Sequence, residues 1–278
     1  GGGIPIIRPL CQCLAANYIE GIAGILNGTT NFILTMMIEK GMSFDEALKI
    51  AQEKGYAEKD PTADVEGHDA CRKVCILASL AFGKHVYPNQ VETEGITNIT
   101  LEDVSYIENA GGVIKLLGQI KYINDNEIAA FVSPAVVYNG SQLASVKDVF
   151  NAILVRGDAV GDVCFYGPGA GKLPTASAVV ADIIDCAKHS ERKKIFGWGA
   201  GNEDYVVDYK ERIEMPFYVR AKATPAEINA KFSDVKFLSR KGQPSDEVAF
   251  ITDIMTENKL NKKLDGINVI NTIKVTNY

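Results

Sequence analysis

The sequence predicts an α+β fold: a mixed β-sheet covered by helices on one face, followed by a small βαββαβ unit. Three observations carry this. Helix-period segments with capping signals dominate residues 1–110, β-branched and aromatic segments with tight turns dominate 113–166, and strands alternate with helices after 214. With 278 residues, 46% of them hydrophobic, there is room for two units of ordinary domain size, each with a core.

The elements follow in order. After Gly1-Gly2-Gly3 and the run Ile4-Pro5-Ile6-Ile7, a helix-like stretch reaches about Asn17. Residues 19–26 read as a strand ended by Asn27-Gly28, with Thr29 and Thr30 placed to cap a helix over about 31–40 that stops at Gly41. Ser43 and Glu46 form a capping box. Phe44, Ala47, Leu48 and Ala51 then keep helical spacing until Gly55. An acidic loop fills 56–67, and helices follow over 68–82, closed by Gly83, and over 101–110. Strands are expected at 114–123, 128–138, 151–156 and 162–166, separated by Asn-Asp, Asn-Gly and Gly-Asp turns. The turn Gly167-Pro168-Gly169-Ala170-Gly171 leads into a helix over about 175–187. Residues 188–213 are charged and glycine-bearing, which suits a linker between units at 1–187 and 214–278. The second unit reads strand 217–223, helix 225–231, strand 247–253, helix 257–264 and strand 269–276, with one of its two central strands unclear.

Charge and cysteine usage narrow the function classes. Twenty-nine basic against 35 acidic side chains give −6, which argues against nucleic acid as a partner. No apolar run approaches the ~20 residues of a membrane span, and no signal peptide is visible at the start. The six cysteines lack disulfide-scaffold spacing, so a cytoplasmic location is expected. Cys11-x-Cys13 and Cys71-x-x-x-Cys75 are not paired zinc clusters, and three histidines do not complete them. The chain opens without Met and reads as a piece of something longer.

Chemistry concentrates at 55–73. Glu58, Asp60, Asp64 and Glu66 crowd one loop, which on composition alone suits a solvated surface. The following helix adds Asp69 and Lys73, four apart and therefore on one face, ahead of the apolar run Val74, Ile76, Leu77, Leu80 and Ala81. A lysine at that junction is drawn down by desolvation and up by carboxylates, so proton transfer and a plain i,i+4 salt bridge are both open.

The run Gly55-Tyr56-Ala57-Glu58-Lys59-Asp60-Pro61-Thr62-Ala63-Asp64, continuing through Gly67-His68-Asp69-Ala70 to Lys73, resembles the signature of homoserine dehydrogenases. Residues 24–31 (Gly-Ile-Leu-Asn-Gly-Thr-Thr-Asn) resemble a second motif of that family, and Gly167 to Gly171 with residues 174–179 a third, in family order over roughly 1–187. The resemblance implies NAD- or NADP-dependent interconversion of L-homoserine and L-aspartate-4-semialdehyde, in threonine, methionine and isoleucine biosynthesis. It implies Lys73 as acid/base, Asp69 orienting substrate and lysine, and Glu58 holding the substrate ammonium. Tyr56, Asp64, Gly28 and Thr29 are further substrate-site candidates, although helix capping also accounts for the last two. Gly169 and Gly171 match the turn approaching the nicotinamide. The P-loop alternative fails, because Tyr166 and Leu173 stand where it needs Gly and Ser or Thr.

Gly2 and Ile4 match a segment whose carbonyls bind a monovalent cation, sodium or potassium. A homodimer formed through the sheet face is implied. No strand followed by G-x-G-x-x-G occurs in the chain, so the family's cofactor-binding domain, its upstream second lysine and the NAD versus NADP determinant are expected to be missing, and the chain is expected to be inactive alone. The βαββαβ pattern resembles an ACT domain, implying threonine as an effector, but Thr224-Pro225-Ala226 lacks the family's glycine. The competing reading is an amino-acid-binding regulatory or dimerisation module without catalysis.

Overall fold

A computed structural model describes residues 1–191 and 197–278; the expected linker at 188–213 includes residues 192–196, which lie outside the described residues. The catalytic-motif half contains β1 (Ile19–Ile25), α1 (Gly28–Lys40), α2 (Phe44–Glu53), α3 (Thr62–Val65), α4 (His68–Phe82), β2 (Glu92–Thr93), α5 (Leu101–Asn109), β3 (Gly112–Asn124), β4 (Glu127–Tyr138), β5 (Phe150–Gly157), β6 (Gly161–Pro168) and α6 (Lys172–Lys188). Then come α7 (Tyr209–Arg212), β7 (Glu214–Met215), β8 (Phe217–Lys222), α8 (Pro225–Lys231), β9 (Val235–Leu238), β10 (Glu247–Thr252), β11 (Met255–Thr256), α9 (Glu257–Leu264) and β12 (Asn268–Val275).

Among the described residues ten strands form one mixed sheet in the order β6-β5-β1-β3-β4-β12-β8-β10-β9, with β2 also on β4. Its pairings are antiparallel except at β4, where β12 joins in parallel (Lys274 opposite Ala135) and β2 likewise (Glu92 opposite Phe131). The mixed α+β class therefore holds. The sheet runs unbroken across the boundary expected at 214. The weak central strand is present as β9, whose half-exposed Val235-Lys236-Phe237-Leu238 gives little periodic signal.

Alternation along the strands sets the layers. Ile22, Ile114, Ile120, Val132 and Val136 pack with α1, α2, α4 and α5 in the largest core. The next residues along, including Ala23, Leu117, Ala135 and Val137, face the other way, under Leu143, Val146 and Tyr278. In the C-terminal part the same rule makes two layers. Val248, Phe250 and Phe217 meet Ile228 of α8 and Leu260 of α9, whereas Tyr218, Ala249 and Ile251 face the α5 side.

Two local expectations are corrected. The cap of α1 is Asn27, whose side chain accepts from the Thr30 N–H, so the helix begins at Gly28 and neither Thr29 nor Thr30 is the cap. The acidic loop holds the short helix α3, ordered by Asp60 accepting from the Thr62 backbone and hydroxyl.

Candidate active site

Two consecutive turns build the site. Strand β1 ends in the core at Ile25, and Asn27 turns the chain into α1. Asn27 spends its carbonyl oxygen on the cap, which frees its amide for two carboxylates: Nδ2 donates to Asp64 Oδ1 at 2.7 Å and to Asp69 Oδ2 at 2.9 Å. Asp64 comes from α3 and Asp69 from the first turn of α4, so this one amide ties three elements together. Lys73, one turn further along α4, donates to Asp69 Oδ2 at 2.6 Å and to the Leu26 carbonyl at 2.7 Å.

The pair is half-buried, with Lys73 and Asp69 side chains 31% and 34% exposed. Burial acts to raise the Asp69 pKa, but hydrogen bonds from Lys73 and Asn27 outweigh it and hold the carboxyl below the usual range. The result is an amine fixed by two acceptors beside an ionised carboxylate, with one side open to solvent. Such an amine can exchange a proton with a substrate oxygen.

The remaining candidates fall into three places. Thr29 donates from its hydroxyl to the Tyr56 carbonyl at 2.7 Å, and the Tyr56 ring meets Phe32 edge-on at 5.1 Å, which joins the start of α1 to the acidic loop. Gly28 fits because a Cβ there would lie 2.8 Å from the Val149 carbonyl oxygen. Glu58 is exposed; its carbonyl accepts from Gln52, while its carboxylate makes no hydrogen bond or ion pair among the described residues and stands outside the Asn27–Asp64–Asp69–Lys73 cluster.

The glycine turn lies at the N-terminal segment. Gly3 N–H donates to the Gly169 carbonyl at 2.7 Å, and the Gly1 nitrogen reaches the Leu26 carbonyl, which Lys73 also uses, at 3.3 Å. A Cβ on Gly2 would lie 3.5 Å from the Gly169 carbonyl oxygen. A Cβ on Gly169 would fall 1.6 Å from Asn151 Oδ1, and Asn151 Nδ2 is buried without a partner. Gly171 precedes α6, which starts three residues earlier than the spacing suggests. The Ile4 carbonyl accepts from Ile6 N–H at 2.8 Å. Among the described residues no group of three or more His, Cys, Asp or Glu side chains is arranged to hold a metal ion.

Asn27 is the residue the sequence reading missed. Its Asn-Gly pair suggested only a strand end, and the available signal was its place inside the quoted motif at 24–31.

A helical layer on a mixed sheet thus carries a lysine–aspartate pair whose carboxylate is tied by an asparagine at a strand-to-helix turn, an arrangement met in enzymes that work on small polar substrates. A family model described as homoserine dehydrogenase matches residues 5–184, and the chain belongs to that family. It is 50% identical over 188 residues to a homoserine dehydrogenase of Synechocystis, covering 66% of this chain and 43% of the relative. A second, of Neisseria gonorrhoeae, is 50% identical over 187 residues, covering 67% and 43%. The chain thus spans less than half the length of the curated relatives it matches. Among solved structures, a homoserine dehydrogenase from Thiobacillus denitrificans superposes with TM-score 0.84 at 37% identity, over 99% of this chain and 68% of that one. That coverage takes in the C-terminal strands. No helix among the described residues is long and apolar enough to cross a membrane.

Proposed function

We propose that the chain carries the substrate-binding and proton-transfer half of an NAD(P)-dependent interconversion of L-homoserine and L-aspartate-4-semialdehyde. The observation that carries the reading is Lys73, held by Asp69 and the Leu26 carbonyl with one side open. Lys73 Nζ gives a proton to the substrate oxygen as the aldehyde becomes an alcohol, and takes it back in the reverse direction. Asp69 orients the amine and balances its charge. Glu58, with its unengaged carboxylate, takes the substrate ammonium; Asp64 supports through Asn27; Tyr56 closes the wall beside Thr29. The free N–H groups at the start of α1, Gly28 and Thr29, suit the α-carboxylate.

When bound, the nicotinamide supplies or accepts the hydride. The turn at Gly169 and Gly171 fits its nicotinamide end: the orphaned Asn151 amide lies beneath it, and a side chain at 169 would be excluded. Nothing in the chain has the strand plus G-x-G-x-x-G that seats a pyrophosphate, so the 278 residues alone are expected to bind substrate without turnover. Sodium or potassium on the carbonyls of Gly2 and Ile4 fits in part, since the Ile4 carbonyl already accepts one hydrogen bond.

The reading extends to the C-terminal part as an ACT-like unit with threonine as effector. In support, β8, α8, β9, β10, α9 and β12 complete a βαββαβ order. Thr224 starts α8 with a capping box to Glu227, while Ala226 stands where the resemblance expects glycine. The reading also includes a homodimer through the sheet face opposite α1 and α4.

Calorimetric titration of L-homoserine into the chain tests the core of the proposal. Glu58→Gln should abolish the heat of binding, and Lys73→Ala should retain it while removing turnover from an enzyme completed with a cofactor-binding domain. Turnover surviving in Lys73→Ala overturns the acid/base role.

A further inference from the structure

Lys115, on β3, is 2% exposed and plays no part in the chemistry above. A buried cation persists only with partners. Its Nζ donates to Asn31 Oδ1 at 3.1 Å and to the Val146 carbonyl. Asn31, one turn into α1 from Asn27, donates from Nδ2 to the Asp148 carbonyl at 2.9 Å and to those of Val146 and Phe150 at 3.2 Å. Thr35, a further turn along, accepts from Asp148 N–H at 3.1 Å, and Asp148 sits in the left-handed region at φ 54°. The segment so held places the Val149 carbonyl against Gly28. The charges around Lys115 are Glu39 on α1 and Asp148 and Lys147 in the segment.

We infer that Lys115 and Asn31 are positioning residues: they clamp residues 146–150 against the first turn of α1 and so set where Asn27, Gly28 and Thr29 stand. The inference rests on the proposed substrate role of that turn. An apolar side chain at 115 fills the same space but leaves Asn31 Oδ1 without its donor and the Val146 carbonyl with only the 3.2 Å bond from Asn31 Nδ2.

Hydrogen exchange read by mass spectrometry on the 278-residue chain tests this without a ligand. Lys115→Met and Asn31→Ser should each speed exchange about tenfold at both 27–30 and 144–150, leaving 62–82 unchanged. The double variant should be no faster than the faster single one, because both remove the same clamp. Lys49→Met, an exposed lysine on α2, should match the wild type. Where binding of L-homoserine is measurable, its affinity should fall about tenfold in both clamp variants. Faster exchange at 144–150 with 27–30 unchanged, or loss of protection across the whole chain, overturns the inference; should Lys115→Met not fold, Asn31→Ser decides on the same reading. Wild-type chain that fails to bind L-homoserine, with the exchange pattern as expected, removes the substrate role of the turn and leaves the clamp standing.

Discussion

Two donors, Lys73 Nζ and Asn27 Nδ2, share Asp69 Oδ2, and both favour the ionised carboxylate. Because the folded pKa lies below the unfolded one, the associated stability is complete above the unfolded value near 4 and is lost as pH falls through the folded value. The stability gap between wild type and Asp69→Asn, followed by urea unfolding, should therefore narrow as pH drops below about 4. A gap that stays constant to pH 2 would mean the carboxylate does not titrate with folding. Lys115 gives the opposite window. Burial, with Lys147 adding to it, pushes its pKa down to about 8 from 10.5. Between those values the unfolded chain holds more protons, so stability rises with pH, by ~3 kcal/mol at most relative to Lys115→Met. At this scale helical spacing alone put Asp69 and Lys73 on one face, as they are, and the family motif named Asp64, which the Asn27 amide joins to Asp69. Asn27 and Asn31 escaped the sequence reading, since an asparagine that anchors by its amide looks in sequence like any turn or helix residue.

Helix α6 is the element whose pattern disagrees most with its surroundings. No residue of it is buried: Leu173 is 78% and Ile183 61% exposed, with Val179, Val180 and Ile184 beside them, and Arg8 pairs with Asp182. An apolar stripe in water favours association. Ile183→Glu should leave the thermal midpoint nearly unchanged, a difference within ~0.5 kcal/mol, while reducing self-association seen by light scattering. A marked drop in midpoint would show that the stripe is packed. Strands β1, β3, β4 and β5 were legible from β-branched runs, and α2 from its capping box. The short α3 was not, because four residues carry no period. Strand β9 was not, because its packing comes from β10 rather than from its own alternation.

For the whole molecule the decisive join is between α5 and the C-terminal strands. Asp103, fully buried, accepts from Tyr218 at 3.0 Å and Asn271 at 2.9 Å, and Arg220 lies 3.4 Å away, also donating to Thr100. Tyr106 donates to Glu247, which Arg240 also meets. This polar seam sits between parts that the sequence reading kept separate, and it was illegible there because its members lie more than 100 residues apart. Arg220→Met removes the cation beside Asp103, leaving it neutral donors, Tyr218 and Asn271 among them, and should cost ~3 kcal/mol. Urea unfolding of the wild type should show one transition for both parts, and two well-separated transitions would contradict a continuous sheet.

Strand β12 comes after every other strand of that sheet in the chain, yet it lies beside β4 in the middle of the sheet order. During synthesis, β4 therefore emerges long before the neighbour that covers its edge beyond β2. A nascent chain halted before residue 268 presents an open, apolar strand edge, the surface on which aggregates nucleate. Removal of residues 268–275 should thus raise aggregation well above that of the intact chain, read by light scattering.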